Sequence, residues 1–274
     1  MKYFSMFTGI GGFELGFPDA WECIGFSEID KHCNKLLHDK FKEVMNYGDA
    51  TKIKPDELPD FDMLCGGFPC QAFTIAGERK GFEDTRGTLF FEIERILAVK
   101  RPKIVFLENV KGLLSHEKGQ TFRIILQRLE SLGYNTQWMV LNSKFFGVPQ
   151  NRERVFIIGS LRGEPRPEIF PYKGSNKNNK IKTINCGFHR YRTYGVDGVS
   201  PTLLHYHRAG YSVIKIEYEN KIRNLTPLEY ERLQGFPNNW TKGFDDITRY
   251  EMVGNAVTIP IIKHISTFIG GETC

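Results

Sequence analysis

The sequence predicts an α/β fold, a doubly wound sheet with a second, small domain near its end. Three observations predict it. Short apolar runs that read as strands alternate with stretches of helical spacing through the first 160 or so residues, the pattern of a sheet covered by helices. The first run, residues 3–7, leads into Thr8-Gly-Ile-Gly-Gly-Phe13 and a helix-like Glu14-Leu-Gly-Phe17. Strand, glycine-rich turn and helix start form a cradle whose backbone amides can face a ligand. After Gly163 the texture changes: Pro165, Pro167 and Pro171 lead into Lys173-Gly-Ser-Asn-Lys-Asn-Asn-Lys180, a breaker-rich basic run that marks a domain boundary. The expected division is 1–163 for the large domain, completed by 250–274, with 164–249 as the small one.

Residues 21–27 form the second strand and deliver Glu28 at its carboxyl end. An acid there accepts hydrogen bonds from ribose hydroxyls; a solvated loop carboxylate is the alternative. The spacing Gly9-x-Gly11-Gly12 is not the dinucleotide fingerprint. Residues 31–41 read as a helix, and Asn46-Tyr-Gly-Asp49 places another acid where a third strand should end. A fourth strand over 62–65 runs into Gly66, Gly67 and then Phe68-Pro69-Cys70. Such a turn can hold one side chain at a strand tip, here the Cys70 thiol. A thiol reacts as thiolate, so its value depends on its surroundings, and a structural half-buried cysteine is the ordinary alternative. These loops all open on the edge where open α/β sheets bind ligands.

Residues 66–88 have little periodicity, and a loop of that length in a compact domain is usually functional, often a lid. Leu89, Phe90, Ile93, Ile96 and Leu97 return to helical spacing. Residues 103–107 are an apolar strand ending in Glu108-Asn-Val110, and Phe122, Ile125, Leu129 and Leu132 mark one face of a helix. Two further strands cover 135–141 and 155–160. Just before the second, Arg152 and Arg154 alternate with Glu153, so both can point to one face; taken alone, surface charges at a strand's entrance are the ordinary reading. Near the end, Thr226 with Glu229 makes a capping box, Pro227 sits at the first helical position and Gly235 stops the helix, with Leu225 and Tyr230 placed as a staple. After a loop comes Gly254-Asn-Ala-Val257. Ile261, Ile262, Ile265, Phe268 and Ile269 give a last amphipathic helix, expected to dock on the first domain.

Composition narrows the class. Of 274 residues, 41% are hydrophobic and 13% aromatic, enough for a real core. No run reaches the length of a membrane span and no signal peptide is visible. The six cysteines are scattered, without a CxxC pair or a metal-spaced His/Cys cluster, so a reducing, cytoplasmic setting without structural zinc is expected. Between Arg162 and Asn224 there are 12 Lys/Arg against 5 Asp/Glu, and elsewhere 25 against 27. The whole positive excess therefore sits in one segment, which suits a polyanionic partner; on charge alone a soluble, loop-rich insertion fits equally.

Taken together, Phe7-Thr-Gly-Ile-Gly-Gly-Phe13, Glu28, Asp49, Gly67-Phe-Pro-Cys-Gln71, Arg86-Gly-Thr-Leu89, Glu108-Asn-Val110, Gln150-Asn-Arg-Glu-Arg154, Arg223-Asn-Leu-Thr-Pro227, Gln234-Gly-Phe-Pro237 and Gly254-Asn-Ala-Val257 resemble, in order, the motifs of the cytosine carbon-5 DNA methyltransferases. The resemblance spans nearly all of the chain outside about 164–222. It implies a Rossmann-like S-adenosylmethionine-dependent methyltransferase sheet with a small target-recognition domain, braced by the helix at 226–235. It makes Cys70 the nucleophile, Glu108 the group that holds the Watson–Crick edge of the base, Arg154 the donor to the carbonyl at position 2, and Arg152 a support for the thiolate and the target's phosphate. For S-adenosylmethionine, with S-adenosylhomocysteine as product, it implies Phe7, Gly9, Gly11, Gly12, Ala50 and Pro69 around the ligand. Phe13 would pack on the adenine, Glu28 bind the ribose, Ile29 line the pocket, Asp49 reach the exocyclic amine, and Leu89 and Asn255 close the site. No metal is implied.

Carbon 5 cannot be reached within a stacked duplex, so double-stranded DNA is expected to give up a flipped cytosine. Arg79, Lys80 and Arg86 in the loop after Cys70 would contact phosphates, and Thr202-Leu203 resembles the recognition region's short Thr-Leu element. A monomer is expected, with a cognate restriction endonuclease acting separately. Two rivals are an RNA cytosine-5 methyltransferase and an inactive DNA-binding relative. The tRNA-acting branch carries Cys-Phe-Thr where Cys186 is here followed by Gly-Phe, and none of the catalytic motif residues is lost.

Overall fold

Strands that are apolar on both faces need helices on both faces, and the inner strands here have that pattern. The structure is a computed structural model and describes residues 1–69, 89–170, 180–184, 192–203 and 213–270. Its main sheet has six strands, β1 (Lys2–Met6), β2 (Glu22–Ser27), β3 (Met63–Gly67), β4 (Ile104–Val110), β5 (Tyr134–Asn142) and β6 (Glu153–Leu161), in the order β2-β1-β3-β4-β6-β5. The first four are parallel, and β6 runs antiparallel to both β4 and β5.

On one face Phe4, Met6, Leu64, Val105, Leu107, Val155 and Ile157 form a core with Phe90, Ile93, Ile96 and Leu97 of α3 (Phe90–Lys100) and with Phe122, Ile125 and Leu129 of α4 (Gln120–Ser131). On the other, Tyr3, Met63, Cys65, Ile104, Phe106, Phe156 and Ile158 pack with Phe13 of α1 (Gly12–Gly16) and with Ile261, Ile262, Ile265 and Ile269 of α7 (Ile259–Ile269). The last helix thus docks on the first sheet, as its apolar stripe predicts. It approaches closely: a Cβ on Gly16 would lie 2.5 Å from Ile262 Cβ. The stretch Asp246–Ile269 is long and apolar enough to cross a membrane, but 61% of its most apolar window is buried within the protein, where it forms α6 (Asp246–Asn255) and α7.

A second, three-stranded sheet has the order β7 (Thr193–Gly195), β8 (Lys215–Tyr218), β9 (Lys221–Asn224). A third apolar cluster joins it to the main body through Leu203, Ile216, Leu225, Tyr230, Leu233, Phe236 and Val253, together with Ile10 from the glycine loop and Cys33 and Leu36 of α2 (Lys31–Lys40). In α5 (Pro227–Gln234) both halves of the capping box form, and Gly235 ends the helix at φ 82°.

The structure corrects the sequence reading in three places. The third strand expected near 46–49 is only a single bridge, Phe26 to Asn46: the Asn46 side chain accepts from the amides of Glu28 and Gly48, which turns the chain rather than extending it. The strand before Cys70 extends to Gly67 because Gly66 fits where a Cβ would meet Met6 O at 2.5 Å. And the loop expected before Gly254 gives way at Asp246 to helix α6, capped by Asp245 on the Thr248 amide.

Candidate active site

The carboxyl ends of β3 and β4 lie side by side, with Gly67 paired to Glu108. Glu108 is buried. Its Oε1 is 3.1 Å from Arg154 Nε but lacks the alignment of a hydrogen bond, so a buried acceptor is left open. Burial raises the Glu108 pKa, and Arg154 and then Arg152 pull against that rise. Gly67 has no side chain to crowd it; a Cβ there would lie 3.0 Å from Glu108 Oε2. Arg154 enters from β6, where it pairs with Val110, and donates through Nη1 to Glu153 O at 2.8 Å.

Arg152 is 2% exposed. Its two Nη groups donate to Leu203 O at 3.2 Å and Ala256 O at 2.9 Å, while Nε is buried without a partner. This corrects the expectation that Arg152 reaches a phosphate. Its reach is spent inside, tying the entrance of β6 to the segment that carries Leu203 and to the turn after α6. Burial lowers its pKa, and Arg154 adds to the drop. Glu108, Arg152 and Arg154 thus converge at one edge, with an open acceptor and an open donor among them; unsatisfied buried groups of this kind call for a partner.

Asn109 was not among the expected site residues. It faces the other way along β4 and donates to Phe68 O at 2.8 Å, fixing the segment that ends at Pro69. Two buried glutamines were missed as well. Gln150 donates to Leu233 O and Gln234 Oε1, and accepts from the Leu203 amide. Gln234 donates to Val253 O and Ala256 O and accepts from Thr258 Oγ1. The readable signal was a carboxamide at each of these positions beside buried apolar neighbours, since such a group must find partners. Thr202 donates its hydroxyl to Asn151 O at 2.6 Å, anchoring the segment around Leu203 to the same corner. Cys70, Arg79, Lys80, Arg86 and Cys186 lie outside the described residues, as does the loop expected to act as a lid.

The second part of the site is built on β1 and β2. After β1 the chain takes left-handed turns at Phe7 (φ 55°), Gly9 (φ 59°) and Gly11 (φ 83°). Glu28, at the end of β2, accepts from the Gly9 amide at 2.7 Å through Oε2 and from the Ile29 and Asp30 amides at 2.8 Å through Oε1. Burial raises the Glu28 pKa, and these amides oppose the rise. Ile29 stands 70% exposed beside it, an apolar surface open to solvent. Asp49 is partly exposed, and its hydrogen bonds to Thr51 hold its carboxyl below the usual range. Pro69 and Leu89 are half-buried and Asn255 is exposed.

Two expectations for this part are corrected. Phe13 is 3% exposed, with its ring edge-on to Phe106 at 5.1 Å and tilted against Phe17 at 5.8 Å, so it has no free face for an adenine. Phe7, directly after β1, is half-buried, packed in part against the core of the first face. Ala50 puts its methyl into the core, and its carbonyl accepts from Arg95 Nη2. The glycine turns, an acid that gathers three amides, an exposed aliphatic surface and a second, partly exposed acid nevertheless fit an adenosine-bearing ligand.

Known structures share this architecture. The S. pombe Dnmt2 methyltransferase aligns over 100% of both chains with a TM-score of 0.78 at 18% identity. A Spodoptera frugiperda DNMT2 mutant covers 98% of this chain and 99% of its own with a TM-score of 0.76 at 16% identity. The fold is that of the S-adenosylmethionine-dependent methyltransferases, with a small second sheet. Sequence comparison goes further. The family model for C-5 cytosine-specific DNA methylase matches residues 1–194 and 166–270. The Type II methyltransferase M.NlaX of Neisseria lactamica is 36% identical over 296 residues, 97% of this chain and 95% of the relative. M1.ScrFI of Lactococcus lactis subsp. cremoris is 40% identical over 301 residues, 97% and 77%, and M.Bsp6I of Bacillus sp. (strain RFL6) is 35% identical over 302 residues, 96% and 96%. The chain belongs to the C-5 cytosine-specific DNA methylases and is a DNA cytosine methyltransferase.

Proposed function

We propose that this methylase flips a cytosine out of double-stranded DNA at a specific sequence and methylates it by covalent catalysis with Cys70, as the modification partner of a separate restriction endonuclease. The observation that carries the reading is the buried Glu108 with its open acceptor, flanked by Arg154 and Arg152 beside the strand end that leads to Pro69. When bound, S-adenosylmethionine supplies a methyl group on a sulfonium sulfur. Carbon 5 of cytosine is too weak a nucleophile to take it unaided. The Cys70 thiolate adds to carbon 6, which turns the ring into an enamine able to react at carbon 5. Protonated Glu108 donates to ring nitrogen 3 and accepts from the exocyclic amine, neutralising charge that develops on the ring. Its raised pKa supports that role.

Arg154 donates to the carbonyl at position 2. Arg152 holds the recognition region against this edge rather than touching a phosphate. After transfer the carbon-5 proton leaves, water being the acceptor we assign, and the thiolate is expelled. On the donor side Phe7, Gly9, Gly11, Gly12, Glu28, Ile29 and Asp49 would hold the ligand, with Pro69, Leu89 and Asn255 closing over it. We assign 1–163 with 250–274 to catalysis and 164–249 to recognition, the basic segment meeting phosphates while a few side chains read base edges. We further propose a monomer acting in the cytoplasm. Bisulfite sequencing of plasmid DNA from cells expressing the protein tests the reading: converted-resistant cytosines at one sequence context are expected, and their absence at every site refutes it.

A further inference from the structure

Three consecutive residues of the glycine loop are held from three distant parts of the chain, and the first hold is a single hydrogen bond. The indole Nε1 of Trp240 donates to the Ile10 carbonyl at 2.9 Å. Phe41 lies over Gly11, where a Cβ would come within 2.7 Å of its Cε2, and Val257 lies over Gly12, where a Cβ would come within 2.7 Å of its Cγ2. The indole is itself wedged in place. It stands edge-on to Phe41 with centroids 6.2 Å apart, tilts against Phe236 at 6.3 Å, and carries the Lys40 ammonium 4.8 Å from its ring centre. Ile10 is 1% exposed and packs in the cluster that contains Leu203, Phe236 and Val253.

A carbonyl fixed by a rigid donor fixes the plane of the peptide that follows it. That peptide carries the Gly11 amide, which bonds back to Thr8 O at 3.2 Å, and it leads into the left-handed turn at Gly11. A loop already held in its bound shape spares the ligand the cost of ordering it. We propose that Trp240 is a positioning residue for methyl transfer: from the segment after α5 it sets the shape of the glycine loop, and so the affinity for the methyl donor. The proposal rests on the reading of that loop as the donor site.

Trp240→Phe keeps an aromatic wedge and removes the N–H. Calorimetric titration of the full-length protein with S-adenosylhomocysteine should show affinity weakened roughly three- to tenfold, the effect of one net hydrogen bond. The KM for S-adenosylmethionine should rise by the same factor, while kcat at saturating donor and the KM for DNA stay within about twofold of wild type. Trp240→His, which retains a ring N–H, should bind the donor at least about twice as tightly as Trp240→Phe. Unchanged donor affinity in Trp240→Phe overturns the proposal. So does equal weakening in both variants, or loss of the fold in both, since each makes Trp240 a packing element only. A wild-type protein that binds no donor would instead refute the assignment of the loop.

Discussion

Glu14 gives the fold a pH dependence that can be worked from the structure. It sits in α1, directly after the glycine loop, with both carboxyl oxygens buried and neither making a well-aligned hydrogen bond. Burial, offset in part by the Ser5 hydroxyl and by its own backbone amide, raises its pKa from 4.5 to about 7. Tyr3, Cys23 and Cys65 surround it; burial and then the Glu14 charge raise their own pKa values, so none of them ionises in the same window. The folded state therefore holds a proton that the unfolded chain releases near 4.5. Stability from this group is full below that value and is lost as pH rises through about 7. At about 1.36 kcal/mol per unit the full swing is about 3 kcal/mol, of which about 2 kcal/mol falls between about pH 5.5 and 8. Glu14→Gln keeps the shape and removes the ionisation. Urea unfolding of both proteins across that range should show the wild type losing about 2 kcal/mol more than the variant. Glu28 and Glu108, also raised, contribute to both curves and cancel. Parallel pH curves would refute the buried, unpaired state of Glu14.

Three further outcomes follow from the site and its scaffold. Cys70→Ser should abolish methyl transfer while S-adenosylhomocysteine still binds with affinity within about threefold of wild type; turnover in that variant would remove Cys70 from the mechanism. Glu108→Gln should lower kcat by about a hundredfold or more. Because the Glu108 pKa is raised and the proposed role needs the protonated form, the wild-type rate should also fall as pH rises through that pKa, and the variant should lack this alkaline limb in a pH–rate profile. Gly66→Ala should destabilise the fold by about 1–3 kcal/mol in denaturant titration, since its Cβ would meet the backbone oxygen of Met6 at 2.5 Å and a strand carbonyl cannot swing aside.

What was legible in the sequence follows from where each signal resides. The capping box at Thr226 and Glu229 is local chemistry, and both halves form. The stripe of Ile261, Ile262 and Ile265 has one period and one compatible partner surface, and it docks as expected. By contrast α6 draws on distant contacts: Tyr250 stacks edge-on to Tyr230 at 4.7 Å and donates to Leu225 O, while Arg249 reaches Glu231 at 3.2 Å. Its sequence, with Ile247, Thr248, Val253 and Gly254, is a weak helix former alone. Phe13 was misjudged because a ring next to a glycine loop can turn either toward the ligand or into the core. Only the packing of Phe106 and Phe17 decides which.

The least legible feature was the one on which the site depends most. Arg152 and Arg154 stand at the entrance of β6, while Glu108 and Gly67 stand at the exits of β4 and β3. In a wholly parallel sheet an entrance and an exit lie on opposite edges. Glu108 lies four residues along β4 from Ile104, so at about 3.3 Å each the arginines would sit roughly 13 Å from it. Because β6 is antiparallel, Val110 pairs with Arg154 and the two ends coincide. Nothing in the apolar pattern of 155–160 states its direction, since a strand buried on both faces reads the same either way. The short connection from β5 carries the direction instead: it leaves room for a reversal, not for a crossover helix. The Arg152 bonds to Leu203 and Ala256 then hold the reversed strand's entrance in place. Acid and guanidinium meet at one edge through the topology of the sheet, not through their spacing in the chain.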